Sequence, residues 1–425
     1  MDGLAVVRLR GALNSRSGWK DKLDFQLSSA IVTGFIAPSR RPSIPGPALA
    51  AAFLFLLPAL PAAADEAPRK ADAPAATKAP AADEPKAPPN PPPSSGRKAL
   101  AVAGAFVPGA LVHGTGHLVL GHTRTGLVLL GAEGLGAGLI VAGLGGAAAT
   151  GATRRFIGPI ILGTVTGAAF FFLSALADIY GVVAPEGGTG SPPIFLPSVE
   201  TQLGVMFVHD PNFAYNAFLT PGADLRAGSV RLSALGFFAL DDTNARTRIA
   251  AAYRFFGPRT STSERARDGS YLDVEVALTN HSYGTEGFSV TTGEVNLLGR
   301  LDLARIGPTL RGSFAELGLG IAYAAHRYPG IGVEANDLLT PRMAFGMYLG
   351  HSGYPRGEAM AYYEHRHDGF AGGLKSPGLG SGIAGHFGAQ TRLFFTPRWG
   401  ALFDVQGGSA LVGRASLLFR YGGNP

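Results

Sequence analysis

The sequence predicts a mixed α and β fold: an apolar helical hairpin followed by an antiparallel up-and-down β-barrel of about 10–12 strands. Three observations carry it. Between Ala99 and Val183 the chain is apolar and nearly free of charge. From Val199 to Tyr421 the apolar period changes from helical to two. Across 425 residues only 16% are charged, Gly occurs 61 times and Cys is absent. That composition argues against an ordinary cytosolic enzyme, a disulfide-stapled secreted domain and a thiolate metal site. The formal charge of +6 comes from scattered basic residues, without the concentrated basic face of a nucleic-acid binder.

Residues 1–64 read as an upstream extension and a signal peptide. Arg40-Arg41 precede the apolar run Ala48 to Leu60, and Ala62-Ala63-Ala64 place small residues at a cleavage point before Asp65. The run is too short to span a bilayer comfortably. Residues 1–39 exceed what a signal peptide needs, so the start codon is expected further downstream. Residues 65–98 are a Pro/Ala-rich linker with almost nothing to bury and no means to offset its ordering entropy. Extended, it reaches about 100 Å. That length suits a tether toward the cell wall or an inert spacer.

Residues 99–183 form the helical hairpin. From Gly126 to Thr153 the single charge is Glu133, and Phe156 to Ala177 carries none before Asp178. Each run is long enough to cross about 30 Å of hydrocarbon, and a buried soluble hairpin is the alternative. Gly134, Gly138 and Ala142, with Gly163 and Gly167, recur at four-residue spacing, which predicts close approach of the two backbones. Glu133 is expected near the interface and solvated, with a neighbouring backbone, Thr164 or Thr166 as alternative partners. His113 and His117 are four apart, the spacing that puts two side chains on one helix face and offers half of a metal site. No carboxylate stands near them in the sequence, and the surrounding glycines argue against a regular helix. No metal and no cofactor are therefore expected. Pro108-Gly109, His113-Gly114, Gly116-His117, Gly121-His122 and Gly126 resemble the Gly-rich stretch ahead of small two-helix membrane domains in bacteria. The resemblance implies membrane association and no activity.

Residues 184–198 connect this hairpin to the strands. In 199–421, Leu272, Val274, Val276 and Leu278 share one face, and Asp273, Glu275 and Ala277 the other. Ile249 and Tyr253 oppose Arg248 and Arg254 in the same way. Val295, Leu297, Leu301 and Leu303 oppose Glu294, Asn296, Arg300 and Asp302. Turn residues separate the runs, as at Gly257-Pro258 and Tyr328-Pro329-Gly330. Alternation alone leaves open which face is inside. Export, the aromatics Tyr253, Phe255, Tyr323, Phe395, Phe419 and Tyr421 at strand ends, and a mixed charged face favour apolar side chains turned to lipid. A soluble barrel or sandwich is the alternative.

Over 199–421 the pattern resembles bacterial outer-membrane β-barrel proteins. Ala415 to Tyr421 is similar to the aromatic-ended strand such proteins use for assembly, although Gly422-Gly423-Asn424-Pro425 follow it here. The resemblance implies an outer-membrane location, lipid as partner, and a structural, adhesive or transport role with no reaction identified. An inner-membrane anchor carrying a periplasmic β-domain is the rival topology, with Arg154-Arg155 on the cytoplasmic side. The connector extends at most about 52 Å, less than a periplasm. The hairpin and a transmembrane barrel must therefore share one membrane.

Candidate chemistry centres on Glu364-His365-Arg366-His367-Asp368-Gly369. The stretch resembles the active-site strand of outer-membrane lipid A deacylases. The resemblance puts His365 at the base position, His367 where a nucleophilic Ser stands and Asp368 where Asn stands. An envelope lipid hydrolase using the His365 region is thus the enzymatic alternative. His365 and His367 also share a strand face, which offers a metal pair. Glu275, Glu294, Arg300, Glu316 and Arg392 are expected to pair and fill so narrow a lumen rather than line an open pore.

Overall fold

A computed structural model describes residues 94–151, 156–193, 196–211, 217–260, 268–284, 287–366, 369–372, 374–376 and 380–422. The signal-peptide segment, most of the linker, Arg154-Arg155, His367 and Asp368 lie outside the described residues.

The helical part has four helices among the described residues: α1 (Ser95–Phe106), α2 (Thr115–Leu120), α3 (Thr123–Thr150) and α4 (Ile157–Val183). The Ser94 side chain caps α1 by accepting from the Arg97 amide. Residues 95–98, expected as linker, are therefore helical. Gly114 and Gly121, at φ 88° and 87°, bracket α2 in the left-handed region that glycine tolerates best. A Cβ on Gly114 would also run into the Gly126 backbone. His113 precedes this short helix and His117 lies within it, so the two do not share a helix face.

α3 and α4 pack as a hairpin at Gly167, one of the expected glycines, and at Gly136 and Gly143, which the four-residue spacing leaves out. A Cβ on Gly136 would lie 2.7 Å from the Gly167 carbonyl oxygen, and Gly143 abuts Thr164. Gly134, Gly138 and Gly163 face open space. Gly136 and Gly143 are two turns apart, and at 3.6 residues per turn that spacing returns to one face. The four-residue spacing drifts off it.

The strands of the barrel are β1 (Val199–His209), β2 (Ala217–Leu219), β3 (Gly222–Ala227), β4 (Val230–Ala239), β5 (Ala245–Phe256), β6 (Tyr271–Ser282), β7 (Ser289–Asp302), β8 (Ser313–Tyr328), β9 (Gly332–Leu339), β10 (Arg342–Leu349), β11 (Arg356–Glu364), β14 (His386–Phe394), β15 (Trp399–Gly407) and β16 (Leu411–Tyr421). A separate hairpin, β12 (Leu374–Ser376) with β13 (Gly380–Ala384), interrupts the path from β11 to β14. β2 and β3 occupy one place in the ring and β9 and β10 another, because β2–β3 lie together between β1 and β4 and β9–β10 together follow β8. Each break falls at Thr-Pro (Thr220-Pro221 and Thr340-Pro341), where proline has no N–H to give the ladder. The twelve places close when β16 pairs β1, with Val199 opposite Tyr421. Every pairing in the ring is antiparallel, which is the up-and-down order the alternation predicts.

The charged face is inside. Asp273 and Glu275 are 3% and 4% exposed, whereas Val276, Ile249 and Leu417 are 56%, 57% and 56% exposed. Closing the sheet gives polar side chains an enclosed centre and turns the aliphatic ones outward, the membrane-barrel arrangement. Tyr253, Phe255, Phe395, Trp399 and Tyr421 are exposed around the end where β1 begins and β16 finishes, the terminus-bearing end of the barrel. Leu303 departs from the expected alternation. β7 stops at Asp302, and Leu303 opens a 3-10 turn buried against the helices.

α4 lies on the outer wall of the barrel. Ala177 and Tyr180 pack with Leu303, Leu310 and Phe345, and the Tyr180 hydroxyl donates to the Arg311 carbonyl at 2.8 Å. Hairpin and barrel thus form side-by-side walls of one body, as the short connector requires.

Candidate functional site

The lumen is the one place where many charged side chains converge. Period-two strands aim every second residue inward, so ion pairs form along and across the bore. Glu275 on β6 accepts from Arg231 and Arg248, each at 2.6 Å. Arg300 on β7 bonds Glu316 on β8 and reaches Glu358 on β11, both at 2.7 Å. The Tyr271 hydroxyl donates to Glu316 at 2.9 Å, and Arg342 stands 3.7 Å from it. Arg392 pairs with Glu200, three ring places away. The inward residues Glu275, Glu294, Arg300, Glu316 and Arg392 all pair, so the bore is bridged rather than empty.

The end opposite the termini is closed by residues that follow β11. Arg366 turns inward and forks onto Glu294 of β7, with N–H···O distances of 2.8 and 2.6 Å. The Glu294 side chain is fully buried and Arg248 is 3.5 Å away. Beyond it, Phe370 meets Phe218 at 4.9 Å and His281 at 5.3 Å between ring centroids, and the Arg246 guanidinium sits 5.7 Å over its ring. Phe370 and Ala371 sit in an apolar cup of Met206, Val208, Phe218, Ala410 and Val412. The Ser409 amide fastens them by donating to the Ala371 carbonyl at 3.2 Å. Phe370 also meets Phe237 of β4 at 5.7 Å, and β11 and β4 are six places apart in a ring of twelve, so these residues cross the full bore.

His365 begins this crossing. Its Nδ1 is 2.6 Å from the Tyr363 hydroxyl. The other residues matched to the deacylase pattern, His367 and Asp368, lie outside the described residues.

His113 and His117 sit elsewhere, in a sealed polar knot where α2, α3, α4 and the β7–β8 connection meet. Each is 0% exposed. The Ser174 hydroxyl donates to the Phe170 carbonyl, so His113 Nδ1–H is the donor in its 2.7 Å contact with Ser174 Oγ. That leaves His113 Nε2 buried without a hydrogen-bond partner. Burial holds the His113 imidazole below the usual histidine range, against the pull of the Glu133 and Asp178 carboxylates. Glu133 is buried and accepts from the His113 amide at 2.7 Å, so the expected solvated position is corrected. Its partner is a backbone amide from a turn twenty residues earlier rather than Thr164 or Thr166.

His117 Nδ1 lies 2.6 Å from Asp178 Oδ1, and its Nε2 lies 3.0 Å from the Thr309 hydroxyl. Asp178 also accepts from the amides of Gly114 and Gly116. Hydroxyl, imidazole and carboxylate have the connectivity of a hydrolytic triad. His117 is sealed and Gly181 stands against its Nε2, so the set works as a latch between helices and barrel. The carboxylates absent from the sequence neighbourhood of the two histidines are thus supplied by α3 and α4. Among the described residues no three His, Cys, Asp or Glu side chains are grouped to hold a metal ion. Asp178 carried the one available signal, a lone carboxylate ending an apolar run. Thr309, almost two hundred residues from His117, carried none.

No protein-family model matches the chain, and no curated protein matches it. Among solved structures it is similar to a KdgM porin, at 10% identity and a TM-score of 0.32, over 52% of this chain and 99% of that one. It is also similar to the translocator domain of the autotransporter NalP from Neisseria meningitidis, at 14% identity and 0.32, over 53% and 88%. A Rh. blastica porin mutant follows at 8% and 0.20, over 53% and 100%.

Proposed function

We propose that this chain is an outer-membrane β-barrel of transport type, held shut at rest by Arg366 and Phe370. The closed ring, its aliphatic outer wall and the apolar hairpin beside it support one lipid layer around the whole body. An inner-membrane anchor with a separate periplasmic domain fits poorly, because α4 and the barrel wall bury each other's apolar side chains.

The observation that carries the reading is the crossing of the bore by residues that do not belong to the wall. A structural barrel has no need of a chain segment reaching half-way round the ring. A transport barrel needs a plug that releases. The fork on Glu294 and the apolar cup are separable contacts on a connection between strands, which is where a releasable element belongs.

The test is single-channel recording in planar bilayers on Arg366→Gln/Phe370→Ala, with folding checked by heat-modifiable gel mobility. The unaltered chain is expected to be silent or to open rarely, and the double variant to conduct. A folded double variant that stays silent would overturn the transport reading in favour of a structural barrel.

A further inference from the structure

We propose that the lumen mouth at the terminus-bearing end binds a small oxyanion, a phosphate or carboxylate group, between Arg226 and Arg231. This site is distinct from the Arg366 plug and requires no open channel. A small cleft of about 20 Å³, open to solvent, is lined there by inward-facing Arg226, Arg231 and Arg254, with Asp273 as the lining carboxylate. Pro258 and Thr260 of the β5–β6 connection form its rim.

The three guanidiniums differ in how far they are satisfied. Arg254 is fully committed: Nε and one terminal nitrogen fork onto Asp273 at 2.8 Å, and the other donates to the Pro258 carbonyl at 2.8 Å. Arg231 gives one terminal nitrogen to Glu275 at 2.6 Å, and its Nε is buried with no hydrogen-bond partner. Glu275 is in turn shared with Arg248. Arg226 makes only long contacts, 3.4 Å to Asp224 and 3.4 Å to the Pro197 carbonyl. Arg248 divides itself between Glu275 and Glu294, at 2.6 and 3.5 Å, so the guanidiniums of the bore share their carboxylates along one network.

A buried N–H without an acceptor is costly. Arginine's planar donors match two oxygens of a carboxylate or phosphate. An oxyanion in the cleft would give Arg226 a close partner and would accept from the terminal nitrogen of Arg231 that Glu275 leaves over. A cation there would face guanidiniums, since the lining carboxylate Asp273 is already forked by Arg254.

The experiment is isothermal titration of inorganic phosphate, and separately of acetate, into the full chain folded in detergent. One site per chain is expected. Arg226→Gln/Arg231→Gln should weaken it at least about tenfold, since two charge-assisted donors are lost. Ala252→Asp, which adds a carboxylate to the cleft while keeping every guanidinium, should weaken it likewise and serves if the double variant fails to fold. Arg366→Gln, at the other end of the bore, should leave binding unchanged whether or not the barrel conducts. No binding to the unaltered chain, or equal binding to the chain and its cleft variants, would overturn the proposal.

Discussion

Replacing Arg366 by Gln removes one partner of a buried ion pair and should shift the plug toward release. Its side chain is 11% exposed and that of Glu294 is 0% exposed. Removing one member of such a pair typically costs about 3–5 kcal/mol, because the other charge is left uncompensated. Here Arg248 stands 3.5 Å from Glu294 and retains part of the compensation. The net loss should therefore be nearer about 2–3 kcal/mol, or roughly 30- to 150-fold in the open-to-closed ratio. Single-channel open probability measures this ratio directly. Glu294→Gln leaves Arg248 to Glu275 and Arg366 to Glu364 but removes the fork across the bore, and should open the barrel too. Because both substitutions break the same contact, their effects should fall well short of additive, with a coupling of about 0.5–3 kcal/mol. An unchanged open probability in folded Arg366→Gln, or full additivity with Glu294→Gln, would refute the claim that this fork holds the bore closed.

The remaining predictions concern the helices and the loops. Gly136→Leu places side-chain atoms where the Gly167 carbonyl already stands 2.7 Å from a Cβ, so the hairpin should loosen by about 1–3 kcal/mol, seen as an earlier loss of helical circular dichroism on heating. Gly138→Leu, in open space, should leave that transition unmoved. Asp178→Asn strips the carboxylate from the His117 ring and three backbone amides. It should undock the helices at a cost of about 3–5 kcal/mol and make Arg124 trypsin-sensitive, while the barrel keeps its heat-modifiable mobility. At the terminus-bearing end, burial pushes Asp268 up, but the Arg305 guanidinium and the Ser270 amide outweigh it and hold the carboxyl below its ordinary value. Its contribution is full above about pH 4, the unfolded value, and is lost as pH falls through the folded one. Arg305→Ala should therefore make the β5–β6 connection open at higher pH in an acid titration followed by hydrogen exchange. The effect should stay under about 1 kcal/mol, since the pair is partly exposed.

The order of hairpin and barrel and the two faces of each strand were written in local residue order. Backbone geometry turns alternate residues to opposite sides of any strand, so Asp273 and Glu275 had to part company from Val274 and Val276 wherever the strand went. The length and apolarity of α3 and α4 were equally local. What these faces meet was set only when distant segments came together. Only closure of β16 onto β1 makes an inside, and only then do Arg231, Glu275 and Arg248 become neighbours. The same holds for Glu133 and Asp178, whose partners come from a turn twenty and some sixty residues earlier, and for Phe370, whose cup is assembled from three separate stretches of chain. A buried charge or ring takes whichever partner lowers its desolvation cost, and that partner is set by the path of the whole chain through space, which no local period encodes.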